Sequence, residues 1–279
     1  MIIDTHAHLG ISRKPDKLEA RKDEKYAELF GDREKIEEID AAIAKNIEDM
    51  DAAKVDKSVI CAIDSETTRG YVRVPNDVVA MVVSRHPDRF IGFASADPHK
   101  GVVAVREIER AAKELNFKGI KFLPHELELQ PNDKMFYPIF EVAEELGLVV
   151  LFHSGTQFDP TTRLRYCRPV DIDDIAVDFP RLKVVIGHFG FPWYGEALAV
   201  VQRHQNVYFN IAGWAPRHIP EMVVTYMNTV LSHKALLGSD FPLMSRQRIL
   251  DELRQLNLKS ESLQKIISDN PKKLLDIQA

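Results

Sequence analysis

The chain has 279 residues, 45% hydrophobic and 28% charged, with a formal net charge of −5. A core of this size folds without a disulfide or metal staple, so any metal serves chemistry rather than folding. The mild charge and the lack of a basic block argue against nucleic acid as a partner, and no apolar run approaches the roughly 20 residues of a membrane span.

The N-terminus, MIIDTHAHLG, turns polar at its fourth residue and does not read as a signal peptide. A cytoplasmic location is expected. Cys61 and Cys167 are too few for a disulfide framework. Cys61 sits in an apolar run and is expected in the core. Cys167 lies in a polar loop, where nothing nearby marks it as a nucleophile.

The first apolar run is MIIDTHAHL at 1–9, followed by a long charged stretch, 11–54. Its first part, RKPDKLEARKDEKYAEL, reads as a lid or exposed helical insertion, and REKIEEIDAAIAKNIEDMDAAKV reads as a helix. Further β-branched runs are KSVICAI (57–63), RFIGFASA (89–96) and FKGIKFL (117–123). LVVLFHS (148–154), LKVVIGHF (182–189), VYFNIA (207–212) and ALLGSDF (235–241) complete the set. Such near-continuous apolar strands suit a parallel sheet covered on both faces.

Amphipathic segments lie between the runs. The spacing over 101–115 predicts a helix with Val102, Val105, Ile108, Ala112 and Leu115 on one face. A helix over 135–147 ends at Gly147, a plausible C-cap. Helices 246–257 and 260–269 follow, and Asn270-Pro271 is expected to break the pattern. Alternating β and α units over this length predict an α/β chain, 1–279, forming a single (β/α)₈ barrel with a helical insertion after the first strand. An open doubly wound sheet is the competitor.

Buried parallel strands carry few ionisable groups, so those at strand ends are informative. His6 and His8 lie two apart on the first strand, so both face one side, with Asp4 one step deeper. His153, His188 and Asp240 end the fifth, sixth and eighth strands. Singly, each is more often a hydrogen-bonded histidine or a turn-forming aspartate. Together they meet at one barrel mouth, with the ligand types that divalent ions accept. Such an ion lowers the pKa of a coordinated water, and a nearby base must take the proton. His86, His99, His204, His218 and His233 fall away from strand ends and read as structural.

D-x-H-x-H on the first strand, His on the fifth and sixth, and Asp on the eighth resemble the amidohydrolase superfamily. The flanks HPDRFIGF, GIKF, FHSGT, IGHFG and GSDFP resemble its amidohydrolase-related branch, which includes aminocarboxymuconate-semialdehyde decarboxylase. The resemblance implies one divalent ion held by His6, His8, His153 and Asp240. Zn²⁺ suits three nitrogens and one oxygen, and Mn²⁺ or another ion is also accepted. It further implies that His188 acts as base or orients water, and that Asp240 shuttles protons. Lys121 ends the fourth strand, where binuclear members carry a carbamylated lysine. In a one-metal site it becomes a substrate contact or a structural ion pair. Relatives with Lys-x-His-Pro here have a histidine where this chain has Leu123, so its role is absent or falls to His125. Relatives often pair, which leaves a homodimer open.

Post-strand loops supply Arg69, Tyr71 and Arg73, then Arg163, Arg165, Tyr166 and Arg168, then Trp193, Tyr194, Trp214 and Arg217. Arginine reads carboxylates and tryptophan lines flat apolar walls. The expected substrate is therefore a small anionic molecule with an unsaturated or aromatic part, touching Lys121, Arg69, Arg163 and Trp214. Three functions compete. First comes hydrolysis of an amide, ester or lactone by metal-activated water. Second is metal-dependent, non-oxidative decarboxylation. Third is a metal-free ligand-binding barrel or lactonase.

Overall fold

Strands that are apolar on both faces need cover on both sides, and here they obtain it by curling into a ring. A computed structural model describes residues 1–10, 36–70 and 72–278. The strands are β1 (Ile3–Ala7), β2 (Lys57–Cys61), β3 (Ile63–Asp64), β4 (Val72–Val74) and β5 (Phe90–Ala94). They continue with β6 (Gly119–Phe122), β7 (Val149–Phe152), β8 (Lys183–Ile186), β9 (Val207–Asn210) and β10 (Ala235–Leu236). Eight of them form one sheet in the order β1-β2-β5-β6-β7-β8-β9-β10, each pairing parallel with the next. Thr5 N donates to Leu237 O (3.0 Å) and His8 N to Phe241 O (2.7 Å), and Ala7 bridges Phe241 in parallel. These bonds join the last strand's continuation to the first, so the sheet is a barrel and not an open doubly wound sheet.

Helices surround the ring. The helix Ile36–Ala53 lies in the stretch expected as an insertion, while 11–35, including the expected lid, lies outside the described residues. The run 57–63 is expected as one strand, but β2 ends at Cys61. β3 turns away to pair antiparallel with β4, with Ile63 opposite Val74. This small ribbon carries the loop after β2 up to the barrel mouth.

Two helix expectations need correction. In Val102–Lys113 the fully buried residues are Ala104, Ile108 and Ala111, at i, i+4 and i+7. Of the expected face, Ile108 is buried and Val105, Ala112 and Leu115 pack partly buried against the core, but Val102 is 61% exposed. Val102 is two residues from Ala104, about 200° around the helix, which turns it to solvent. Pro271 does not break the final helix. Ser260–Gln264 runs through a π turn, Lys265–Asp269, into Asn270–Leu275. The wider turn precedes the proline, whose missing N–H sits in the first turn of the following segment, where no donor is needed. Asn270 Nδ2 anchors it to Ser232 O and Ala235 O, both at 2.8 Å. Gly147 sits at φ +68 after Tyr137–Glu145, as a C-cap requires.

Candidate active site

The carboxyl ends of parallel strands share one rim, so residues distant in sequence meet there. His6 and His8 alternate inward from β1 and are buried. His153 follows β7, and its N–H donates to Phe122 O at 2.9 Å, continuing the ladder. His188 follows β8 at φ +56, and Asp240 lies past β10 at φ +58. Left-handed non-glycine residues cost on the order of 1–3 kcal/mol and persist only when their surroundings fix them. The fixing bonds are His188 N to Asn210 Oδ1 (3.0 Å) and Asp240 N to His6 O (2.8 Å).

Beneath the mouth, Asp4 ties three elements together. Its carboxylate accepts from Ser239 N (2.9 Å), Ser239 Oγ (2.5 Å) and Arg246 Nε (2.8 Å). Arg246, itself 1% exposed, also donates to Ser58 Oγ, Asn46 Oδ1 and Asp49 Oδ1. The aspartate of D-x-H-x-H thus locks β1 to the segment that carries Asp240.

At the mouth, Asp240 Oδ1 stands 3.2 Å from His8 Nε2 and 3.5 Å from His6 Nε2. Ligand atoms of His6, His8 and Asp240 all lie within 4.8 Å of one another. Lys121 Nζ approaches His6 Nε2 at 3.0 Å. His188 Nδ1 lies 2.8 Å from Ala212 O. A carbonyl can only accept, so Nδ1 carries the proton and Nε2 keeps its lone pair. The Nε2 atoms of His153 and His188 are buried without a hydrogen-bond partner among the described residues. Two imidazoles and a carboxylate in range, beside orphaned imidazole nitrogens, fit a divalent ion.

Burial sets the charge states. It lowers His6 and His153 well below the usual imidazole range, aided at His6 by Lys121 and at His153 by His188. His188 falls to about 4, chiefly through burial. These rings are neutral at pH 7, as ligands must be. Burial alone would raise Asp240, but its hydrogen bond with His8 and, once those rings protonate in acid, the charges of His6 and His188 outweigh it and hold the carboxyl well below its ordinary range. Burial brings Lys121 down to about 8.

His153 does not join the first three residues as closely as the resemblance implies. Its ring packs 4.4 Å from His188 and 4.5 Å from His125, centroid to centroid. Its ligand atom groups with His125 and Cys167. Cys167, expected in a polar loop, is 1% exposed, with Sγ 3.6 Å from His125 Nδ1. Burial pushes its thiol up to about 12 and brings His125 down to about 4.

A cavity of about 280 Å³ opens over these groups. Lys121, Arg73, His125 and Trp214 are among its walls, and Trp214 packs 4.2 Å from Phe191. Arg73 pairs with buried Glu126. Arg69 is not among the walls and instead pairs with the wall residue Asp159, and Arg163 is exposed beside Glu128. Tyr71 lies outside the described residues. Sequence reasoning missed Arg246 and Gly213. A Cβ on Gly213, at φ +73, would stand 3.1 Å from both Asp240 Oδ2 and His188 Nδ1. A glycine just past β9 was the available signal.

Among known proteins, the family model described as "Amidohydrolase" matches residues 3–277. The 2-amino-3-carboxymuconate-6-semialdehyde decarboxylase of Dictyostelium discoideum is 36% identical over 78 residues, 28% of this chain and 22% of that protein. The gamma-resorcylate decarboxylase of a Polaromonas species is 23% identical over 152 residues, 46% of this chain and 47% of that one. The chain therefore spans less than half the length of the curated relatives it matches. An uncharacterised TIM-barrel protein of Bordetella bronchiseptica superposes with TM-score 0.77 at 22% identity, covering 99% of this chain and 98% of that one. A 5-carboxyvanillate decarboxylase of Novosphingobium aromaticivorans, solved with manganese bound, gives 0.68 at 19%, covering 99% and 97%. At such identities the structures share the fold.

Proposed function

The chain belongs to the amidohydrolase family, and on that premise we propose that it is a metal-dependent, non-oxidative decarboxylase of a small aromatic or unsaturated acid. The observation that carries this reading is that both curated relatives are decarboxylases. It moves decarboxylation ahead of hydrolysis, which the strand-end residues alone put first. The same residues serve either reaction, so the relatives' names tip the balance. The cavity's size, at the lower end for ligand sites, suits a small substrate.

The proposed ligands are His6, His8 and Asp240, with His153 completing the set. Zn²⁺ suits these donors, and the manganese in one structural neighbour supports Mn²⁺ as the alternative. Once bound, such an ion would supply a positive charge able to anchor the substrate's carboxylate or an adjacent oxygen. Lys121 adds a second cationic contact, and Trp214 offers a flat apolar wall to the unsaturated part.

Decarboxylation needs a proton delivered to the carbon that loses CO₂. The C–H bond forms, the C–C bond breaks, and its electron pair returns to the unsaturated system. His188 Nε2 has the lone pair to take a proton from a substrate hydroxyl or water and then give it to that carbon. Asp240, held ionised, stabilises the imidazolium in between. The test uses protein stripped by chelator and reloaded with Zn²⁺ or Mn²⁺, offered hydroxybenzoates and amino-substituted dienoates beside matched esters, amides and lactones. Metal-dependent CO₂ release supports the reading. A new carboxylate without CO₂ would assign hydrolysis instead.

A further inference from the structure

We infer that His125, His153 and Cys167 form a second cation site, for a thiophilic divalent ion such as Zn²⁺, Co²⁺ or Cd²⁺, beside the first. Three elements build it. His125 sits in the short helix Pro124–Leu127 after β6, His153 follows β7, and Cys167 closes the turn Leu164–Cys167. Gly155 N donates to Cys167 O at 2.8 Å, which clamps that turn against the residues following His153.

The donor atoms lie within 4.8 Å of one another, and all three residues are buried. The Sγ to Nδ1 separation of 3.6 Å between Cys167 and His125 is informative. A tetrahedral zinc with bonds of about 2.3 Å to sulfur and about 2.0–2.1 Å to nitrogen spaces those atoms about 3.6 Å apart. His153 contributes a buried Nε2 with no hydrogen-bond partner among the described residues. His125 and His153 line the cavity, which gives an ion its entry path. Two nitrogens and a thiolate make a softer set than His6, His8 and Asp240, so the two sites differ in preference.

Uptake breaks the Cys167 S–H bond, forms a metal–sulfur bond and releases one proton to solvent. A neutral imidazole offers one lone pair, so His153 serves one ion at a time. Occupation of the second site therefore draws His153 from the first, and excess thiophilic metal inhibits whatever reaction the first site runs. The site itself stands on geometry and does not depend on the decarboxylase reading.

The experiment titrates chelator-stripped protein with Co²⁺ and follows the near-ultraviolet thiolate-to-cobalt charge-transfer band, with circular dichroism to verify folding. The band is expected in the unaltered protein, in Cys61→Ser and in His6→Ala/His8→Ala, and is lost in Cys167→Ser. In His125→Gln its half-saturation concentration rises at least tenfold. A saturated titration without the band overturns the site and leaves only an S–H to nitrogen contact. A band that survives Cys167→Ser, or is unmoved in His125→Gln, also overturns it. None of these readouts measures turnover, so failure here and failure of the decarboxylase reading are separately visible.

Discussion

Arg246 shows what one buried charge does for the mouth of the barrel. Its guanidinium neutralises Asp4, and Asp4 in turn holds Ser239 next to Asp240. Arg246→Met leaves the carboxylate buried and unpaired, at an expected cost of about 3–5 kcal/mol in urea unfolding. A loss below about 1 kcal/mol would show that the pair does not carry the segment. His188, by contrast, is proposed to act in the chemistry. His188→Gln is expected to lower kcat by about 10²–10⁴-fold while bound metal, measured by elemental analysis, stays unchanged. Simultaneous loss of metal would make His188 a ligand. The positions of the five residues at strand ends were legible because an ionisable group in an apolar strand is anomalous. Arg246 was not, because its partner Asp4 is 242 positions away and nothing local marks a helix arginine as buried.

At the scale of elements, periodicity located the strands well and misplaced the first turn of one helix face. Eight apolar runs coincide with the eight barrel strands, since burial on both sides leaves a plain signal. The stripe on Val102–Lys113 slid because valines at its first turn are apolar yet solvent-facing. The β3–β4 ribbon was hidden within a run that reads as one strand. The helix Asp171–Asp178 carries a pH signature. Burial raises Asp171 to about 6, with Arg168 opposing and Asp174 adding to the rise. The folded state therefore holds this proton more tightly than the unfolded chain. Its contribution is complete below about 4, the ordinary aspartate value, and is lost as pH rises through about 6. With a discount for partial exposure, Asp171→Asn should remove about 1 kcal/mol of that decline between pH 4.5 and 7. Parallel stability curves for both proteins across this window would contradict the assignment.

For the whole molecule, the two scales combine into a scaffold that brings His6, His8 and Asp240 together at one mouth, the residues proposed to hold an ion. A core of this size is expected to fold without metal, so chelation should leave far-ultraviolet circular dichroism intact. An ion present at about a thousandfold its Kd adds about 4 kcal/mol by linkage, so its removal should lower Tm by about 10 °C. Unfolding on chelation would make the metal structural. The fold, and the meeting of His6, His8 and Asp240 at one rim, were readable in the sequence because both follow from strand periodicity. The substrate was not, because loop arginines look alike in sequence. Arg73 lines the cavity, while Arg69 only backs the wall residue Asp159 and Arg163 lies on the surface. The reaction itself is tested most directly by isotope tracing. Carboxyl-¹³C-labelled hydroxybenzoates and amino-substituted dienoates would be incubated in D₂O with metal-loaded protein. The expected result is one labelled CO₂ per substrate consumed and one deuteron on the carbon that lost it, both abolished by chelation. A label that stays in the organic product while a neighbouring ester, amide or lactone opens would contradict it.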